Sequence, residues 1–330
     1  MMVFKEIARN NQPHGADHVQ VLSWIQSGKF PSITVGLIEC DGALFGQPGR
    51  INVPYVTTDV ASDGLEFCRA VVQSTIDERH AARDQDHINF VMDILPRSVT
   101  GPELGVIGGM GPEASIMFLD MVICRRSDMG IRLINIPTIP DRTRALLTEP
   151  HLRETVATMI RSASNSLIAV GVNHIVVPCN TAHAFTDGID RLSSLIENTR
   201  HYVAAHGITK FTLLATNGTR RAGIYMGDEV TYPDDEVQAM TMALIFDHIK
   251  KGGITDHARS LFEEILDALH RKDQPLTVGL CCTELPLIAR DPQMQAIIAR
   301  KDYASRVRFI DPMEITADLV TVALSIRRSS

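Results

Sequence analysis

The chain has 330 residues, 45% hydrophobic and 22% charged, with a formal net charge of −7 and a pI near 5.9. That length buries a substantial core in two or three compact units, and the acidic balance supplies no general basic surface for nucleic acid or anionic lipid. No apolar run reaches the roughly 18 residues of a spanning helix, and Met1 to Glu6 lack the order of a secretory leader, so a cytoplasmic protein without a membrane partner is expected.

In chain order, residues 33–38 read as a strand, 41–49 as a turn-rich stretch, 64–79 as a helix and 88–94 as a further strand, followed by a loop over 96–102. Residues 1–102 are therefore expected to form an N-terminal α/β extension carrying one βαβ-like unit. From Leu104 onward, short β-branched runs alternate with helical stretches, the pattern of a parallel sheet covered by helices. Strands are expected over 104–107, 131–136 and 174–177. Helices are expected over 112–126, with Pro112 in the first turn, and 151–170, where Met159, Ile160, Ala163, Leu167 and Val170 make an apolar stripe.

A second set begins at Phe211-Thr212-Leu213-Leu214-Ala215 and runs into Thr216-Asn217-Gly218-Thr219, much as the first runs into Gly108-Gly109-Met110-Gly111. Later strands correspond too. Ile175-Val176-Val177-Pro178-Cys179 and Thr277-Val278-Gly279-Leu280-Cys281-Cys282 each lead an apolar strand into a cysteine with a threonine nearby, a weak repeat with a period near 103 residues. A period that long suits two similar α/β domains with parallel sheets flanked by helices and an active site in the cleft between them. The expected division is 103–207 with 306–330 for the first domain and 208–305 for the second.

The chemistry centres on Cys179 and Cys282. Six cysteines in a chain this long are too sparse for a disulfide scaffold, and without a C-x-x-C pair no structural metal site is expected. Each of these two sits at the carboxyl end of a strand, where α/β folds bind ligands and where a following helix favours the thiolate. Two such groups in mirrored halves match racemisation, in which one base removes a proton from one face of a carbon and an acid returns one to the other. Asn180, Thr181, Thr283 and Glu284 place hydrogen-bonding groups beside the sulfurs. His183, four residues after Cys179, is expected to face the sulfur or cap the helix start.

Gly108-Gly109-Met110-Gly111-Pro112-Glu113-Ala114, Ile139-Pro140-Asp141-Arg142-Thr143, Pro178-Cys179-Asn180-Thr181-Ala182-His183, Leu214-Ala215-Thr216-Asn217-Gly218-Thr219 and Cys282-Thr283-Glu284-Leu285 occur in the order of the aspartate/glutamate racemase family. The chain resembles that family, and its aspartate racemase branch more closely, over about residues 103–330. The resemblance implies that the two cysteines are the acid/base pair, that no cofactor is used and that homodimers form. It further implies that a small acidic amino acid is bound by Met110, Asn180, Thr181, Thr216, Thr219, Thr283 and Glu284, its carboxylates held by Arg142 and Lys250. A planar guanidinium accommodates a carboxylate through two parallel hydrogen bonds, and an ammonium adds a compact second charge.

Two features depart from the family pattern. Cys281 stands where the family usually has glycine and is expected to crowd the turn or shift Cys282. Arg83-Asp84-Gln85-Asp86-His87 resembles a segment that members carry after their first helix, which makes the extension a candidate partial duplicate of the first βαβ unit, without either cysteine. Other readings explain less. Gly109-Met110-Gly111-Pro112-Glu113-Ala114 fits a dinucleotide fingerprint, yet the next strand ends in Asn135-Ile136-Pro137 without the acidic residue that holds a ribose. A cysteine hydrolase leaves Cys282 idle, a decarboxylase needs one cysteine, and a homologue that binds without turnover remains the non-enzymatic alternative.

Overall fold

The structure, a computed structural model, describes residues 32–80, 89–270 and 275–328, so the Arg83–His87 segment lies outside the described residues. It is an α/β protein with two sheets. The first has six strands in the order β1-β2-β3-β5-β4-β6: β1 Thr34–Asp41, β2 Arg50–Thr58, β3 Phe90–Ile94, β4 Leu104–Gly108, β5 Ile131–Asn135 and β6 His174–Val176. The second runs β10-β9-β7-β8, from β7 Phe211–Leu214, β8 Val230–Thr231, β9 Leu276–Leu280 and β10 Val307–Ile310. Strands β5, β4 and β6 are mutually parallel, as are the four of the second sheet.

Burial explains the strand composition. Every residue of β4 is buried, which is why it reads as a continuous apolar run rather than an alternating one. The helix Arg153–Ala169 covers this sheet with Val156, Met159, Ile160, Ala163 and Leu167, at the spacing the sequence shows, and Val170 falls just beyond its end, about two-fifths exposed.

The extension departs from expectation in one strand. β2 was not anticipated. It pairs antiparallel with β1 and parallel with β3, so the unit β2, helix Ala61–His80, β3 is a βαβ turn of chain preceded by a hairpin partner. Pro54 disguises β2 as a non-strand. It is tolerated because the pairing with β3 begins only at Tyr55. β3 in turn lies antiparallel against β5, so the extension continues the first sheet. At that seam Arg132 forms an ion pair with Asp93, and the Tyr55 hydroxyl donates to Asp93 at 2.5 Å. The helix Ala61–His80 packs on the helix Pro112–Arg125 and reaches the turn Lys250–Gly252.

The expected boundary at 306 falls one strand early. β10 joins the second sheet beside β9, because a strand finds its ladder partner there. The chain returns to the first sheet only in the helix Pro312–Arg328, which packs on the helices Pro112–Arg125 and Leu195–Ala205. Among the described residues no helix is long and apolar enough to cross a membrane.

Candidate active site

The carboxyl ends of β4, β6, β7 and β9 converge where the two sheets meet. After β4 the chain turns through Gly109 at φ 93°, where a Cβ would lie 2.5 Å from the carbonyl carbon of Ile136, so only glycine makes the turn. That turn presents the Met110 carbonyl to Arg142, whose guanidinium donates to it at 2.5 Å and to the carbonyls of Ile139 and Pro140 at 3.3 Å each. Asp141 starts the short helix Arg142–Leu147 by accepting from the Arg144 amide at 2.8 Å. Arg142 is thereby buried and fixed, and its Nε has no partner.

Cys179 lies past the end of β6 and Cys282 past the end of β9, both buried. One cavity of about 10 Å³, at the lower limit for a single water, is lined by both of them and by Arg142, Asn180, Thr181, Thr216, Lys250, Thr283 and Glu284. Outside it a cleft of about 700 Å³ is lined by Met110, Arg142, Phe246, Lys250 and Glu284 among others. Arg142, Lys250 and Glu284 border both spaces and separate them.

Hydroxyl contacts join the halves across the cavity. The Thr181 hydroxyl lies 3.1 Å from that of Thr216 and 2.8 Å from that of Thr219, and Thr143 donates to Thr216 at 3.3 Å. Gly218 permits this approach, since a Cβ there would come within 2.8 Å of the Thr143 hydroxyl.

On the other side, the Cys282 thiol donates to Glu284 Oε2 at 2.9 Å, and Lys250 Nζ lies 3.2 Å from Glu284 Oε1. Glu284 approaches the Gly111 backbone so closely that a Cβ on Gly111 would meet its carboxylate at 2.7 Å. Lys250 follows a π-helical turn, Leu244–Ile249, and rests over the Phe246 ring at 4.8 Å. Burial raises the Cys282 pKa well above its ordinary value, and the Glu284 carboxylate adds to the rise while Lys250 opposes it. Burial works against the Glu284 charge, but Lys250 and the Cys282 thiol outweigh it and hold the carboxyl below its usual range.

The expectation of a thiolate favoured at both cysteines is therefore corrected at Cys282. The helix that follows it, Leu285–Ala289, is a short piece, and its end is outweighed by burial and the adjacent carboxylate. Cys281 does not crowd its neighbour. Its sulfur turns into the opposite core beside Tyr225, over the space left by Gly279. His183 is also reassigned. Its Nε2 accepts from the Leu195 amide at 3.1 Å, so Nδ1 carries the proton and donates to the Cys179 carbonyl at 3.0 Å. Both nitrogens are committed to backbone, and the ring fixes the cysteine-bearing turn.

Of the residues expected around the two cysteines, Arg142, Asn180, Thr181, Thr216, Lys250, Thr283 and Glu284 line their cavity, Met110 lines the outer cleft, Thr219 reaches the cavity only through the Thr181 hydroxyl, and His183 lines neither space. Three contributors escaped sequence reading. Phe246 sits four residues before Lys250, a spacing that was legible. Gln238 donates to the Ala215 carbonyl and to Asn217 Oδ1 at 3.0 Å each, bracing the turn after β7. Tyr225, fully buried, donates to Asn180 Oδ1 at 2.6 Å, a contact over 45 positions that no local pattern reveals.

Known proteins resemble this chain in sequence and fold. The broad-specificity amino-acid racemase RacX of Bacillus subtilis (strain 168) is 26% identical over 200 residues, 55% of this chain and 85% of that protein. The solved structure of Picrophilus torridus aspartate racemase is 25% identical with a TM-score of 0.55, covering 68% of this chain and 95% of that one. With residues 107–320 matching its sequence pattern, the chain belongs to the Asp/Glu/Hydantoin racemase family.

Proposed function

We propose that this protein interconverts L- and D-aspartate by direct proton transfer at Cα between Cys179 and Cys282. The observation that carries the reading is the convergence of two cysteines from different sheets on one buried cavity that also holds Arg142 and Lys250. Burial, with the Glu284 contact beside it, favours Cys282 as the thiol and acid of the resting enzyme, and Cys179 takes the role of base in the first turnover.

In that turnover the Cys179 thiolate takes the proton from Cα. The electron pair moves into the α-carboxylate, and the Cys282 thiol delivers its proton to the opposite face. Cys179 then holds the proton and Cys282 the negative charge, the state that accepts the other enantiomer. Arg142 and Lys250 supply the positive charge a dicarboxylate needs in an otherwise acidic protein. Because the cavity is far smaller than an amino acid, substrate enters with Lys250 and Glu284 moved apart. The likeness to RacX favours a second reading in which the same chemistry serves several amino acids, glutamate among them. The acting form is proposed to be a homodimer, as the family resemblance implies, working in the cytoplasm.

The purified protein incubated in deuterium oxide with L-aspartate is expected to give α-deuterated aspartate of both chiralities, and Cys179→Ala or Cys282→Ala to abolish racemisation. A panel with glutamate and neutral amino acids separates the two readings by relative kcat/KM. Absence of exchange with both aspartate and glutamate rejects the proposal.

A further inference from the structure

Asn180 is 2% exposed, and its two polar atoms are treated differently: Oδ1 accepts from Tyr225 at 2.6 Å, while the buried Nδ2 has no partner. An unmatched buried donor is costly, and such groups persist where a ligand completes them. Here Asn180 and Arg142 line the cavity of the two cysteines, and Arg142 Nε is the second orphan donor. Two residues that line one cavity and each hold an unsatisfied N–H suit an acceptor with more than one oxygen.

A carboxamide fits its site in two orientations related by a flip, and its neighbours decide between them. A hydroxyl donating to Oδ1 selects the orientation that leaves Nδ2 for the cavity. We propose that Tyr225 is a positioning residue whose hydroxyl fixes the Asn180 carboxamide so that Nδ2 is delivered to the α-carboxylate of the substrate. The proposal rests on the racemase reading for its catalytic consequence. As the proton leaves Cα, negative charge grows on that carboxylate, and a donor held in place in advance stabilises the developing charge more than the ground state.

Tyr225 is suited to hold an orientation. It is 1% exposed and packs in the core cluster that also contains Leu195 and Val203. Its carbonyl accepts from the Tyr232 hydroxyl at 2.8 Å, and the turn before it is set by Gly223 at φ 61°. Burial keeps the phenol protonated, so it remains a donor at any working pH. Tyr225 follows β7 and Asn180 follows β6, so the hydrogen bond also ties the two sheets together at the site.

The test compares Tyr225→Phe, Asn180→Ala and the double variant in the α-deuteration assay, with thermal unfolding as the control for folding. Tyr225→Phe is expected to lower kcat about tenfold or more with KM within about twofold, because the lost interaction acts in the transition state. Asn180→Ala is expected to lower it further, and the double variant to be no slower than Asn180→Ala alone. Effects that multiply, or a Tyr225→Phe variant with wild-type kcat, overturn the proposal.

A second measurement does not depend on turnover. The Asn180 side-chain NH2 signals, assigned by their disappearance in Asn180→Ala, are expected to shift when succinate is added to the wild type and to shift less in Tyr225→Phe. If these shifts occur while the wild type exchanges no α-hydrogen, the positioning role stands and the racemase reading fails. If succinate leaves the signals unmoved, the proposal fails whatever the activity.

Discussion

At the scale of single residues, Glu284 decides more than the sequence motif alone implies. It is at once the acceptor for the Cys282 thiol and the counter-charge of Lys250. The carboxylate raises the Cys282 pKa and Lys250 lowers it, so removing only the negative charge leaves the lysine unopposed. Glu284→Gln is therefore expected to lower the Cys282 pKa. In the direction that uses Cys282 as base, the rising limb of the kcat/KM pH profile is expected to move to lower pH, with a smaller change for the opposite enantiomer. Measuring α-deuteration of D- and L-aspartate against pH in both proteins checks this, and parallel shifts for the two enantiomers reject it. The motif Cys282-Thr283-Glu284 placed the carboxylate beside the sulfur correctly. It did not show the direction of the pKa shift, because desolvation depends on what packs over the thiol from elsewhere in the chain.

Elements matter through the turns that join them. The 3-10 turn Thr181–Phe185 carries His183, whose ring bridges the Cys179 carbonyl to the first amide of the helix Leu195–Ala205. Burial lowers the His183 pKa from 6.5 to about 4. A depressed histidine pKa means that the unfolded chain takes up the proton first. The neutral ring's contribution is whole above pH 6.5 and is lost as pH falls toward 4. Its size reaches roughly 3 kcal/mol. Urea unfolding at pH 7, 5.5 and 4 is expected to show this decline, and His183→Gln to flatten that part of the profile while starting from a lower stability at pH 7. An unchanged slope in the variant contradicts the assignment. The spacing of four residues from Cys179 was visible in sequence, but the partner that claimed the second nitrogen was not, because Leu195 belongs to a separate helix.

For the molecule as a whole, the extension is structurally continuous with the body through the seam of β2, β3 and β5. Asp93 and Arg132, with side chains 2% and 11% exposed, lie opposite each other across β3 and β5, and Tyr55 completes the group. Removing one partner leaves the other charge buried and unpaired, so Asp93→Ala is expected to destabilise the protein by about 3–5 kcal/mol. Denaturant unfolding checks this, and a loss below about 1 kcal/mol, as for an exposed pair, shows that the seam does not hold the extension. Both halves also contribute walls to the small cysteine cavity, so its volume is set by how closely they approach.

The sequence by itself determined the alternation of strands and helices from Leu104 onward, the two matching strand ends that carry Cys179 and Cys282, and the motifs that align the chain with its family. These are local properties: periodicity, turn chemistry and residue type within a few positions. Pro54 concealed β2 because a proline's tolerance depends on whether the neighbouring strand needs its missing N–H, which is settled by pairing register. Tertiary structure alone decided that Cys281 faces away from the site, that His183 serves the backbone, that burial raises the Cys282 pKa and that Tyr225 reaches Asn180. Each of these follows from desolvation or a hydrogen bond between segments distant in the chain, and such contacts exist only once the two sheets have closed on each other.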